Sequence, residues 1–420
     1  MAVESTELGC GLRVVTDAMP GLETASLGVS FAAGSRHESA AEHGLSHLLE
    51  HMAFKGTRRR DARAIAEAVE NVGGDLNAAT SVENTAYYAK ILREDCGLAI
   101  EVLADILTQS LFDPQELERE KQVILQEIAA LQDSPEELVF DLFNAAAFPE
   151  QPIGRPILGT PQSVTAFSQG SIRAYLDRHY TAKNCVIAAA GAVDHAAICA
   201  AAEDLFESLP RHDPVGVSPA HYSGGEVLVC KRLEQTQVVV GFAGLSYADP
   251  GNYAAHIFAN AVGGGMASPL FQEVREKRGL AYGVSAFHWS FLDAGLFGFE
   301  AGAKASDVRE LVAVGVDVLA QAAQALGETD MMRAKAQTKV ALLTALESAS
   351  SRAEQIARQT IIFGRVLPQR EVIGRIDALT LEDVRAAGAS LLRTPPTVAI
   401  LGAVRKPLTS ADIAARLVGV

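Results

Sequence analysis

Apolar residues recur along this chain in two patterns. Leu45, Leu48, Leu49 and Met52 make a stripe at helical spacing. Asp113-Pro114-Gln115-Glu116 opens a second helix, with Asp as N-cap, Pro at the first helical position and Glu at the third. That helix runs to about Leu131 and carries Val123, Ile124, Leu125 and Ile128. Elsewhere the apolar runs read as buried strands. Phe31-Ala32 and Phe242-Ala243 each end such a strand and lead to a helix, and so do Gly191-Ala192-Val193 and Gly402-Ala403-Val404. Both pairs are 211 residues apart, and Ile172-Arg173-Ala174 pairs with Val384-Arg385-Ala386 at 212. Independent landmarks with a common offset mark an internal duplication.

Each half reads strand, strand, helix, helix, strand, strand, several helices and a last strand. This predicts an α+β fold of two homologous domains, each a mainly antiparallel sheet covered by helices. Pro210, Pro214, Pro219 and Ser223-Gly224-Gly225 punctuate a stretch with little apolar periodicity. The expected organisation is therefore an N-terminal domain over 1–210, a linker over 211–225 and a C-terminal domain over 226–420. A domain of roughly 200 residues can bury its own core.

Composition narrows the function. Hydrophobic residues make up 49% and charged residues 21%, an ordinary globular balance, and no apolar run approaches the roughly 18 residues of a membrane helix. The opening Met-Ala-Val-Glu-Ser-Thr-Glu is acidic and leads straight into a strand pattern, so neither signal nor transit peptide is expected and the expected location is cytoplasmic. A net charge of −15 disfavours nucleic acid and steers cationic partners toward the chain. Arg58-Arg59-Arg60 is the main opposing run and reads as a solvated loop. The five cysteines, Cys10, Cys96, Cys185, Cys199 and Cys230, include no C-x-x-C and read as buried free thiols of a reducing compartment.

The chemistry concentrates in His47-Leu48-Leu49-Glu50-His51. Residues four apart on a helix project from one face, so the two imidazoles form a ready pair of ligands for a nitrogen-seeking divalent metal, zinc above all. Glu50 is placed to act on a water held by that metal. A third ligand is expected from the 113–131 helix, where Glu120 and Glu127 lie two turns apart. The apolar neighbours of Glu127 favour it, because a carboxylate in such a stretch needs a cation, but the spacing leaves Glu120 open. The second half has no such motif: His47 falls opposite Phe258 at the 211-residue offset. Gly263-Gly264-Gly265 reads as a flexible connection between helices. His37, His43, His179, His195, His212, His221 and His288 have no ligand spacing and read as structural or solvated.

His47, Glu50, His51 and, 76 residues beyond the second histidine, Glu127 together resemble the inverted zinc motif of the pitrilysin-type (M16, inverzincin) metallopeptidases. Within them the chain is most similar to the mitochondrial processing peptidase β-subunit and its bacterial relatives. The resemblance implies that His47, His51 and Glu127 bind one Zn²⁺ per chain, that Glu50 is the general base, and that Glu120 supports activity. It also implies that Asn77 and Ala78, in Asn77-Ala78-Ala79-Thr80-Ser81, belong to a strand along which substrate lies. Gly154-Arg155-Pro156-Ile157-Leu158-Gly159 resembles a loop of the family. Arg275 and Tyr282, seven apart in the second half, would hold the substrate carbonyl, with Arg278 the rival of Arg275. Pro269 stands where relatives usually carry Arg. The implied activity is zinc-dependent endopeptidase cleavage of unfolded peptides or presequences, basic ones preferred, inside an enclosed chamber. The implied assembly is a homodimer, or a heterodimer with a paralogue. The alternative is a non-catalytic structural subunit.

Overall fold

The structure is a computed structural model describing residues 3–419. The chain divides into two compact units. The first contains six strands: β1 (Glu4–Glu7), β2 (Arg13–Ala18), β3 (Thr24–Phe31), β4 (Asp75–Thr80), β5 (Thr85–Leu92) and β6 (Cys185–Gly191). They form one sheet in the order β1-β2-β6-β3-β5-β4. Only β2 and β6 run parallel; every other neighbouring pair is antiparallel. The central β6, Cys-Val-Ile-Ala-Ala-Ala-Gly, is buried along its whole length. Its alternate residues enter different cores, as the two-residue period of a strand requires. Ile187 and Ala189 join the large core with Leu48, Met52 and Ile100, while Val186 and Ala188 join a smaller one with Val15, Ile356 and Ala357.

The large core is closed by α1 (Leu45–Ala53), α2 (Cys96–Thr108) and part of α3 (Pro114–Gln132). The remaining face of the sheet is closed by a helix from the second half of the sequence. Residues 343–367 belong to the first unit, and residues 130–154 belong to the second. The expected linear division at 210 is therefore corrected by a reciprocal exchange. The exchanged helices are α4 (Pro135–Ala147) and a later helix at Ala349–Phe363. The reason is physical: apolar periodicity shows that a helix has a face to bury, not which sheet will cover it.

The second unit has β7 (Gly225–Val229), β8 (Thr236–Ala243), β9 (Ala281–Ser290), β10 (Gly295–Ala303) and β11 (Thr397–Leu401), in the order β7-β11-β8-β10-β9. With β1 removed, the first sheet has the same order, including its one parallel pair, here β7 with β11. Helix α4 packs on this sheet, and Phe143 lies so close over Gly241 that a Cβ there would stand 2.5 Å from its ring. Helix α5 (Asn252–Gly263) covers the other side of β9 and β10. Its Phe258, opposite His47 in the duplication, is fully buried against Phe297 at 5.6 Å between ring centres. Gly263 is not the flexible connection expected: a Cβ on it would lie 2.4 Å from the Ala286 nitrogen on β9.

Two further expectations change. Arg60 is no solvated loop residue; it donates to Asp105 at 2.7 Å and Glu101 at 2.8 Å on α2. All five cysteines are free, but only Cys185 is buried and Cys230 is exposed. Among the described residues no single helix is long and apolar enough to cross a membrane.

Candidate metal centre

Helix α1 starts at Gly44, which has φ 94° and no capping side chain of its own. The buried Glu38 serves instead, its carboxylate accepting from the Gly44 N–H at 2.8 Å and the Ser46 N–H at 2.7 Å. An anion at a helix N-terminus satisfies donors that have no intrahelical partner. Burial pushes the Glu38 carboxyl up to about 7, against the pull of those same N–H groups. The loop 154–159 braces the same point. His43 Nε2 donates to the Pro156 carbonyl at 2.7 Å, and Arg155 donates to the Glu38 carbonyl at 3.3 Å. Leu45, Leu48, Leu49 and Met52 are all buried. With that stripe fixed in the core, His47, Glu50 and His51 are left on the half-buried side of the helix.

Helix α3 supplies the carboxylates. Asp113 caps it as expected, accepting from the Gln115 N–H at 2.8 Å and the Glu116 N–H at 3.2 Å. Glu127 places one oxygen 3.7 Å from His47 Nε2 and the other 3.7 Å from His51 Nε2. One donor atom from each of the three residues lies within 4.8 Å of the others. Glu120 stands elsewhere: His51 Nδ1–H donates to it at 3.0 Å, and Lys55 Nζ lies 2.8 Å from its second oxygen. The structure therefore separates the two acids that spacing left open. It also reverses the argument from apolar neighbours, because the Glu120 side chain is the buried one at 7% exposure, while that of Glu127 is 39% exposed.

The geometry fits a metal. Glu127 Oε2 is buried without a hydrogen-bond partner, and the imidazole nitrogen it faces is beyond hydrogen-bond reach. Tetrahedral zinc with bonds near 2.1 Å sets its ligands roughly 3.4 Å apart, close to the separations found here. Burial and the neighbouring His51 push the His47 imidazole down to about 4, so at neutral pH it is uncharged, the form in which an imidazole can bind a metal. The Glu120 bond fixes His51 with its proton on Nδ1 and leaves Nε2 toward Glu127, the usual support of a metal-binding histidine. Glu50 makes no hydrogen bond or ion pair with another described residue, so its carboxylate is available.

Asn77 and Ala78 lie on β4, one of the two edge strands of the first sheet, and α1 packs against that strand. The Asn77 Oδ1 accepts from the Ala78 N–H at 2.8 Å. In the second unit, Arg275 lies on a single π-helical turn, Gln272–Glu276, and Tyr282 at the start of β9. The Arg275 guanidinium sits 4.8 Å from the Phe271 ring centre and 4.7 Å from that of Tyr282, which is 79% exposed. Arg278 is instead occupied by the Glu273 side chain. Pro269 is the first residue of a short helix capped by Ser268. Sequence reasoning missed Glu38 and Lys55. Lys55 carried a readable signal, since it follows His51 by four residues and is the nearest cation to the motif.

Comparison with known proteins agrees with this geometry. Residues 13–161 match the family model described as Insulinase (Peptidase family M16), and residues 166–338 match the one described as Peptidase M16 inactive domain. The division falls as the motif does, with the His47, His51 and Glu127 cluster in the first match. A Rickettsia felis protein named an uncharacterized zinc protease is 38% identical over 399 residues, 94% of this chain and 97% of that one. An Arabidopsis thaliana protein named probable mitochondrial-processing peptidase subunit beta is 39% identical over 90% of this chain and 74% of its own length. In fold, a crystal structure of a peptidase M16 inactive domain from Pseudomonas fluorescens superposes with a TM-score of 0.88 at 22% identity, covering 97% of this chain and 100% of that one. A chain of complex III2 from Candida albicans gives 0.87 at 23% identity, covering 99% of this chain and 100% of that one. An inverted zinc motif with its distal glutamate in place, and similarity along nearly the whole length, make this chain a member of the M16 peptidase family.

Proposed function

We propose that the chain is a zinc-dependent endopeptidase, with His47, His51 and Glu127 as ligands and Glu50 as general base. The observation that carries this reading is the convergence of Glu127 on both imidazoles at 3.7 Å, with its buried Oε2 unpaired. Zinc held there would acidify a water and polarise a scissile carbonyl. Glu50, unpaired and one residue before His51, would take the proton of the attacking water and pass it to the leaving amine. Glu120 would keep His51 in its ligating tautomer.

An extended peptide would add to the β4 edge, exchanging the Asn77–Ala78 bond for strand pairing. Arg275 and Tyr282 would donate to the developing oxyanion. What supports them is local: an exposed hydroxyl beside a guanidinium held by two aromatic rings, whereas Arg278 is engaged by Glu273. The net charge of −15 supports a preference for basic peptides. A homodimer is the expected assembly, and a cytoplasmic location the expected one.

Fragments of a mixed peptide library, read by mass spectrometry with and without chelator, test the reading. Cleavage that stops on chelation and returns with zinc supports it. A chain that binds zinc and cleaves nothing supports the rival reading as a structural subunit, as does cleavage only in the presence of a paralogue for the heterodimer.

A further inference from the structure

We propose that Lys55 is a positioning residue of the metal centre, acting through Glu120 on His51. The inference rests on the zinc reading above and extends it to a residue outside the ligand set. Helix α1 ends at Ala53, and Lys55 lies just past it, with its N–H donating to the Met52 carbonyl at 3.2 Å. From there the side chain reaches α3, and Nζ stands 2.8 Å from Glu120 Oε1. The other oxygen of the same carboxylate takes the His51 proton at 3.0 Å. Both oxygens of Glu120 are thus engaged, one by the ligand and one by the lysine.

The chemistry of a buried carboxylate explains why the lysine matters. Glu120 is 5% exposed, so water cannot hold its orientation or screen its charge. With Oε1 released, the carboxylate can rotate about its terminal torsion, which is broad and weakly determined. The hydrogen bond that sets the His51 ring plane and tautomer would loosen with it. Lys55 is the cation that pins that torsion. A cation beside the C-terminal end of α1 also complements the helix dipole. An ordinary surface ion pair would be worth little, but this one has a carboxylate side chain only 7% exposed and a lysine 31% exposed.

The same site yields a sharp contrast with a purely structural pair. If Lys55 acts through Glu120, its removal must weaken metal binding and must do so only while Glu120 is present. The experiment measures zinc affinity by competition with a chromophoric chelator for the full chain, for Lys55→Ala, Lys55→Arg and Glu120→Gln, and for the Lys55→Ala/Glu120→Gln double variant. The cobalt-substituted proteins supply a visible spectrum, and thermal melting checks the fold. Loss of an outer support of a metal ligand costs about 10- to 100-fold in affinity. Lys55→Ala is expected to lose on the order of tenfold, with a changed cobalt spectrum and a lowered kcat at similar KM. Lys55→Arg restores most of the affinity. The double variant matches Glu120→Gln, because the two changes act on one link. Unchanged affinity and spectrum in a folded Lys55→Ala overturn the proposal, as does a full extra loss in the double variant. A wild-type chain that takes up no zinc overturns the zinc reading itself, and this inference with it. Wild-type zinc binding with an indifferent Lys55→Ala overturns this inference alone.

Discussion

Gly44 and Gly159 meet backbone to backbone: a Cβ on Gly44 would stand 2.7 Å from the Gly159 Cα and 2.8 Å from the Leu158 carbonyl oxygen. Gly44 also has φ 94°, in the left-handed region that disfavours side chains. This contact sets where α1 begins, and α1 carries both imidazoles. Gly44→Ala is therefore expected to lower stability by about 1–3 kcal/mol through strain and overpacking. Because it displaces the first turn rather than a ligand, zinc affinity should fall as well. Melting curves and chelator competition on the same variant check both effects.

Glu50→Gln should keep zinc at wild-type stoichiometry and lose turnover by about 10²-fold or more, the usual range for removing a positioned base. The amide is nearly isosteric and touches no described partner, so the melting temperature should stay near that of the parent. Zinc analysis and kcat on one preparation decide the point. Normal cleavage by this variant would remove Glu50 from the mechanism.

Stability should fall with acid over a defined window. Burial holds the imidazoles of His37, His179 and His288 down at about 4, below the 6.5 of an exposed ring. Below 6.5 the unfolded chain therefore binds more protons than the folded one, so unfolding becomes easier as pH falls. The stabilisation is complete above 6.5 and is lost as pH drops through about 4. Glu38, held up near 7, and Asp141, held up at about 6, work in the opposite sense, against these three imidazoles and that of His47. Melting temperature followed from pH 8 to 4.5 should decline most steeply below 6.5. His288→Gln, which can still accept from the Leu245 N–H as the imidazole does at 3.0 Å, should make the decline shallower.

The exchanged helix gives a fourth prediction. Arg352 on the helix Ala349–Phe363 donates to Asp17 on β2 at 2.6 Å, and both side chains are nearly buried, at 13% and 11% exposure. Removing one partner strands the other charge. Arg352→Ala should cost about 3 kcal/mol. Arg358→Ala, on the same helix but paired with Glu354 in solvent at 3.8 Å, should cost under about 1 kcal/mol. Denaturant titration of the two variants side by side shows whether the difference holds.

Much of the site was legible because helical spacing is local. A spacing of four from His47 to His51, and of seven from Glu120 to Glu127, fixes faces without any knowledge of the rest of the chain. The duplication was legible for a similar reason, since an offset of 211 can be counted. What spacing could not supply was the partner of each face. Val123 and Leu125 suggested a buried Glu127, yet the inward side of α3 carries Leu117, Glu120, Lys121 and Ile124. The exchange of α4 and the helix Ala349–Phe363 escaped for the same reason. So did Glu38, whose capping bonds to Gly44 and Ser46 come from a turn outside the helix and have no periodic signature.

X-ray absorption or anomalous diffraction at the zinc edge on the purified chain tests the central claim most directly. The account predicts one ion per chain, about 2.0–2.2 Å from one nitrogen of His47, one nitrogen of His51 and the Glu127 carboxylate. An ion bound elsewhere, or one that leaves Glu127 outside bonding distance while His47 and His51 hold it, would contradict the account.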